Sequence, residues 1–180
     1  KDSVNSVVRL EKTSSKVESK VKLGGFGGSE SAYPIEGGKS TTRLNTANTN
    51  SFIFSTGASI KKSNSMADSM MIANGMDPNM MQDMMGGMND PASTMVLYKA
   101  ETASGNRKIL LQKNPGAMPM RSKEQKSSDK YAFSVKKIRD GYWELVIDKT
   151  LLKGEYAFTF SGMGMSSSDG SVTLFAFGVD

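Results

Sequence analysis

The sequence predicts an all-β fold, a β-sandwich or small barrel of about nine short strands carrying one long methionine-rich insertion. Three observations lead there. Gly (18), Ser and Asn are abundant and Pro (5) is sparse, a composition suited to many turns. Apolar residues fall in short runs between those turns rather than in long helical stripes. The last third alternates apolar and polar residues with the period of two that an extended chain imposes. With 180 residues the chain is long enough to bury a core without metals or disulfides. Residues 29–180 read as a single β domain with the insertion at 64–92, and residues 1–28 as N-terminal edge strands or a short helix followed by a Gly-rich linker.

The elements follow in chain order. "SVNSVVRLEKTSSKVESKVKL" sets Val17, Val21 and Leu23 among Lys and Glu, as one or two edge strands with a polar outer face would, a short amphipathic helix being the competitor. "GGFGG", Gly24 to Gly28, ends any regular element there. "YPIEGGKSTTRLN" and "NSFIFS" come next, and Phe52 and Phe54 share one face of an extended chain as core candidates.

After the insertion, "TMVLYKAETASGNRKILLQK" reads as a hairpin: Met95 to Ala100, a turn through Ser104-Gly105-Asn106, and Lys108 to Gln112 returning. "KNPGAMPMRSKEQKSSDK" is a loop by composition. "YAFSVKKI" places Tyr131, Phe133 and Val135 on one face, and "GYWELVID" sets Trp143, Leu145 and Ile147 against Tyr142, Glu144 and Val146. "GEYAFTFSG" puts Tyr156, Phe158 and Phe160 on one side, and "SVTLFAFGVD" closes with Val172, Leu174, Phe175 and Phe177.

The final segments also carry a resemblance. "LLKGEYAFTFSG" (Leu151 to Gly162) followed by "LFAFGVD" (Leu174 to Asp180) resembles the close of a family of uncharacterised, exported bacterial proteins, in which a segment like PLxxGEYxFxYxG runs into FDFGVD. "IEGGKSTTRL", "FIF", "DPASTMVLYKAE" and "GNRKILLQK" look like the same family's strand order, so the resemblance covers about residues 33 to 180. Ala176 departs from it, standing where an Asp is common, and the methionine insertion is not a family hallmark. The resemblance implies a β-sandwich-like fold and export, and no activity. The Tyr and Phe alternation after Gly154 has an architectural account, since one buried strand face demands it.

Composition removes several kinds of chemistry. The chain has no Cys and no His, hence no disulfide, no thiolate nucleophile, no Cys-based metal site and no imidazole base or ligand. No stretch approaches the roughly 20 consecutive apolar residues of a spanning helix. The chain opens at Lys1 rather than Met, for which a cleaved export signal is one account among several.

The formal charge is +5, and Arg107 to Arg139 holds ten basic residues against Glu124 and Asp129. Such a surplus suits phosphates or other polyanions. Without aromatic interleaving from Arg121 to Lys130 it reads instead as a solvated loop with basic strand ends, and nucleic acid is not the expected partner.

Candidate sites are few. "EGGKSTT" matches only the last positions of a phosphate-binding loop, with Tyr33 where its first Gly belongs, and "GGFGGS" lacks the dinucleotide spacing. Glu144, Asp148, Glu155 and Asp169 are the acids available for a carboxylate pair, but strand-borne acids generally face solvent. No catalytic residue and no cofactor is therefore expected.

The methionines are the remaining feature: nine lie between Met66 and Met88. Thioethers are soft ligands for Cu(I) or Ag(I), and Met80, Met84 and Met88 at i, i+4, i+8, with Met81 and Met85 beside them, form the candidate metal set; Met118, Met120, Met163 and Met165 could add sulfurs. The same flexible side chains suit a contact surface for an unknown protein or envelope component, or simply fill a loop over the fold; Asp77-Pro78 could start a helix through Asn79 to Met85. The expectation is a non-enzymatic exported module, periplasmic, outer-membrane-associated or secreted, with a binding or structural role; soft-metal binding through the insertion is the alternative.

Overall fold

The computed structural model describes residues 8–21, 28–45, 51–56, 69–70, 72–75, 90–115, 126–160 and 168–180. The fold is all β: twelve strands and one single-turn helix, Pro91–Thr94, are named among these residues. The strands are β1 (Glu11–Ser15), β2 (Glu18–Val21), β3 (Ser29–Ile35), β4 (Arg43–Leu44), β5 (Ser51–Ser55), β6 (Met95–Ala103), β7 (Asn106–Asn114), β8 (Lys130–Tyr131), β9 (Phe133–Arg139), β10 (Tyr142–Ile147), β11 (Gly154–Phe160) and β12 (Val172–Val179). They fall into two compact units, one with a nine-stranded sheet and one with a three-stranded sheet.

In the larger sheet the order is β1-β12-β11-β6-β7-β3-β2, with β4 beside β12 and β8 beside β6. Its two ends, β1 and β2, are consecutive in the chain and separated only by Lys16 and Val17. One extended run therefore pairs with β12, bends, and pairs with β3, so the sheet curls until its ends meet. The Ser15 hydroxyl donates to the Pro34 carbonyl at 2.7 Å across the closure. The N-terminal segment thus takes its strand form. Its valines do not face inward as their spacing suggested: Val17 and Val21 are exposed, and the buried residue is Ser15. A polar side chain with a carbonyl partner suits this crossing point better than a β-branched one.

Inside the curl, Ile35, Ile109, Ala157, Val172, Leu174 and Ala176 form a buried cluster, with Tyr33, Tyr98 and Leu111 packed against it. On the other face of β11 and β12, Tyr156 stacks on Phe177 with ring centroids 5.6 Å apart, and Phe158 lies 6.0 Å from the same ring. The Tyr156 hydroxyl, buried with its ring, donates to the Leu152 carbonyl at 2.7 Å. Sequence alternation predicts one buried face for β11; from Glu155 to Thr159 both faces are buried. The second face is lined by Ala157, Ala176 and Gly178, small enough for the concave side of a curled sheet. Ala176, at the position where the resemblance favours Asp, is fully buried in the apolar cluster, where an unpaired carboxylate would be costly.

The hairpin forms as expected, from β6 through Ser104-Gly105 into β7. Before it, Asp90 caps the single-turn helix by accepting the Ala92 N–H at 2.8 Å, with Pro91 at the first helical position; the strand pattern of "DPASTMVLYK" hides this start signal.

The smaller sheet has the order β5-β10-β9, with Trp143 opposite Phe54 and Leu145 opposite Phe52. Leu145 and Ile147 are buried and Phe52 and Phe54 half-buried, as the alternation predicts. No helix among the described residues is long and apolar enough to cross a membrane.

Candidate functional site

The polar residues of the chain's distinctive motifs meet in one place. β7 brings Arg107, β1 brings Glu11, β11 brings Glu155, and the segment from Glu36 through β4 brings Ser40, Thr41 and Arg43. Parallel pairing of β4 with the end of β12 lays Arg43 beside Gly178 and Asp180.

Arg107 is at the centre, its side chain only 1% exposed. Its Nη2 donates to Glu11 Oε1 and to the Glu36 carbonyl, both at 2.8 Å, and its Nε donates to the Gly37 carbonyl at 2.9 Å. Nη1 lies 3.6 Å from Glu155 Oε2 and is the one buried side-chain polar atom without a hydrogen bond among the described residues. A guanidinium fits because its planar fork serves several acceptors at once, which an ammonium cannot do in this arrangement.

Both carboxylates are engaged on both oxygens. Glu155 Oε2 accepts the Ser40 N–H at 2.8 Å and its Oε1 accepts from Arg43 Nη1. Glu11 Oε2 accepts the Ser40 hydroxyl at 2.6 Å and the Thr41 N–H at 2.8 Å. Arg43 in turn holds Asp180 bidentately, Nη2 to Oδ1 and Nε to Oδ2. The "GGKSTT" loop does bind anions through its backbone, and those anions are carboxylates of the same chain.

Two glycines follow from this crowding. A β-carbon on Gly178 would fall inside the Arg43 guanidinium and 2.8 Å from Glu155 Oε1. One on Gly38 would stand 3.2 Å from the Gly105 carbonyl, a tight contact, so a side chain there would press the loop against the hairpin turn.

Burial pushes the Glu11 carboxyl up, but hydrogen bonds from Arg107, Ser40 and Thr41 together with the Arg107 charge outweigh it and hold the group below its ordinary range. With the folded value depressed, its contribution is fully present above the unfolded value of about 4.3 and is lost as pH falls through the folded one. Urea midpoints should therefore drop on acidification below about pH 4, and Glu11→Gln should flatten that part of the profile while lowering stability at neutral pH. A slope unchanged by Glu11→Gln would show that Glu11 is not tied in this way.

The sequence-stated candidates fare differently. Of the four acids, Glu155 is not at the surface; it is 7% exposed, in the network. Glu144 lies in the smaller sheet opposite Lys136 and Ile53, Asp148 accepts the Ser134 hydroxyl at 2.9 Å, and Asp169 pairs with Lys16 at 3.0 Å. The pair that does form, Glu155 with Glu11 across Ser40 and Arg107, was missed because Glu11 lies in a segment read as a polar edge. Arg107, counted in the solvated basic surplus, is the buried centre instead. Others of that surplus are engaged at the surface: Lys108 with Glu30, Lys137 with Asp140 at 2.6 Å, and Arg139 over the Tyr142 ring at 4.1 Å. Met80, Met81, Met84, Met85 and Met88, like Met118, Met120, Met163 and Met165, lie outside the described residues.

Chemically the cluster is closed. Glu11 stays ionised at neutral pH and already holds hydrogen bonds on both oxygens, so it is a poor base for Ser40, whose hydroxyl is buried. A groove of about 430 Å³ runs beside β2, β3 and β7; of its charged lining Lys108 pairs with Glu30 and Lys20 with Glu18, while Glu36 stands exposed at its margin. Among the described residues no group of three or more acids is placed to hold a metal ion. Compared with known proteins, the chain matches no protein-family model, no curated protein and no solved structure. Glu155 of "GEYAF" and Gly178 and Asp180 of "FGVD" all take part in the network.

Proposed function

We propose that the chain is a non-enzymatic exported module of the cell envelope with a binding or structural role, in which the recognisable motifs build the fold and the Met66–Met88 segment is the surface offered to a partner. One observation carries this reading: Glu11, Glu155, Arg43, Arg107 and Asp180 spend their charge on one another. A reaction centre keeps at least one such group free to touch substrate. The long methionine-rich segment is the feature this scaffold does not need for its ion network, and flexible thioether side chains repack readily against varied partners.

The test compares the full chain with a chain lacking Met66–Met88. The deletion should leave the circular dichroism and the urea transition unchanged and abolish capture of a specific envelope component. Methionine methyl signals that shift at micromolar Ag(I) would move the reading to a soft-metal carrier. Turnover of a glycan or phosphoester that disappears in a folded Glu155→Gln variant would overturn it in favour of an enzyme.

A further inference from the structure

The groove of about 430 Å³ beside β2, β3 and β7 has the size of a small-molecule site. Its shape follows from register and side-chain length. Ala32 and Pro34 share the outer face of β3 at the period of two, with Glu18 of β2 opposite Ala32 and Lys108 of β7 opposite Pro34. Two short apolar residues between long charged ones leave a trough with an apolar floor. The side chains of Ile35 and Arg107, the next pair of the register, turn inward to the core cluster and the ion network.

Charge along the trough is uneven. Glu18, Glu30 and Glu36 line it against Lys20 and Lys108, and Arg107 on its border has its charge spent on Glu11 and Glu155. Lys108 is held by Glu30 and, at 3.6 Å, by Glu101, so its charge is neutralised where it stands. Lys20 reaches Glu18 only at 3.7 Å, between side chains that are both more than half exposed, and such a pair contributes little. The Glu36 carboxylate has no ion-pair or hydrogen-bond partner among the described residues, and neither have the Ser104 hydroxyl and the Asn106 amide at the same end of the groove. One free carboxylate and one loosely held one therefore border the apolar floor. Glu18 is level with Ala32, and Glu36 lies four residues further along, about 13 Å in the strand direction. On a chain of formal charge +5 this local acidity runs against the general character of the surface.

We propose that this groove binds a linear aliphatic polyamine, with one terminal ammonium on Glu36, the other on Glu18 in place of Lys20, and the methylenes over Pro34 and Ala32. The charges are complementary, and the floor removes CH₂ groups from water. A separation of about 13 Å between the two acids suits a triamine and is beyond a short diamine. Ser104 and Asn106 supply acceptor oxygens for the ammonium at Glu36. An exposed ammonium–carboxylate contact contributes up to about fivefold in affinity, so binding is submillimolar and weakens with salt. The site uses none of Met66–Met88, and the inference is independent of the role proposed for that segment.

Spermidine titrated into the full chain at low ionic strength should shift the backbone amide NMR signals of Glu36, Ser104 and Asn106 to saturation, and should bind about fivefold more tightly than putrescine, which cannot reach both acids. Glu36→Gln should weaken spermidine by about fivefold, and Lys20→Ala, which frees Glu18, should tighten it. Both residues are exposed, so each variant should keep the wild-type circular dichroism. Glu144→Gln, in the smaller sheet, should leave the affinity unchanged. Four results would each overturn the proposal. These are no saturable shift at millimolar spermidine, a Glu36→Gln chain that binds like wild type, an equal loss in Glu144→Gln, which would mean diffuse attraction, and tighter binding of a peptide of three lysines, which would make the occupant a protein segment.

Discussion

Replacing Arg107 with methionine is expected to lower folding stability by about 3–5 kcal/mol, the cost of breaking a buried ion pair by removing one partner. Methionine keeps much of the volume but leaves Glu11 without its cation, Glu155 with Arg43 alone, and the Glu36 and Gly37 carbonyls without a donor. The expected readout is a lower urea midpoint with an unchanged slope. Arg107→Lys restores the charge but not the fork, and should recover only part of the loss. A surface arginine truncated in this way would cost under about 1 kcal/mol, so a loss that small would place Arg107 outside the core.

Gly178→Ala should cost about 2 kcal/mol, against the usual sign, since alanine is ordinarily favoured over glycine within a strand by about 0.5–1 kcal/mol. The added β-carbon takes the place of the Arg43 guanidinium, which must leave both Glu155 and Asp180. In an Arg43→Ala background that obstacle is gone, and the same substitution should cost under about 1 kcal/mol. If Gly178→Ala is equally costly in both backgrounds, the glycine serves backbone conformation and not the arginine.

The fold was legible where alternation is strong. Trp143, Leu145 and Ile147 in β10 mark a half-buried strand, and Ser104-Gly105 between apolar runs marks a hairpin; both form as expected. Twelve strands rather than about nine appear because β4 and β8 are too short to leave a pattern, and because β1 and β2 are one run broken at Lys16 and Val17.

The charge network was not legible. Period-two reasoning assigns Glu155 to the solvent face of an aromatic strand, and only tertiary curling makes that face an interior. A signal was present: Glu155, Ala157 and Thr159 are opposed by Gly178, Ala176 and Leu174. Small residues facing an acid across two strands mark a concave, crowded face better than a solvated one. Arg107 gave no local sign at all, because it stands beside Lys108 in a basic run and its acceptors come from segments about 70 and 96 positions away.

The most direct measurement is a double-mutant cycle between Arg107→Met and Gly178→Ala by urea unfolding. The two sites are joined through Glu155, which faces Arg107 on one oxygen and Arg43 on the other. One continuous ion network requires a coupling of at least about 0.5 kcal/mol, because after either change Glu155 depends on the remaining arginine. Losses that add to within about 0.3 kcal/mol would contradict it, and would leave the motifs as separate local features.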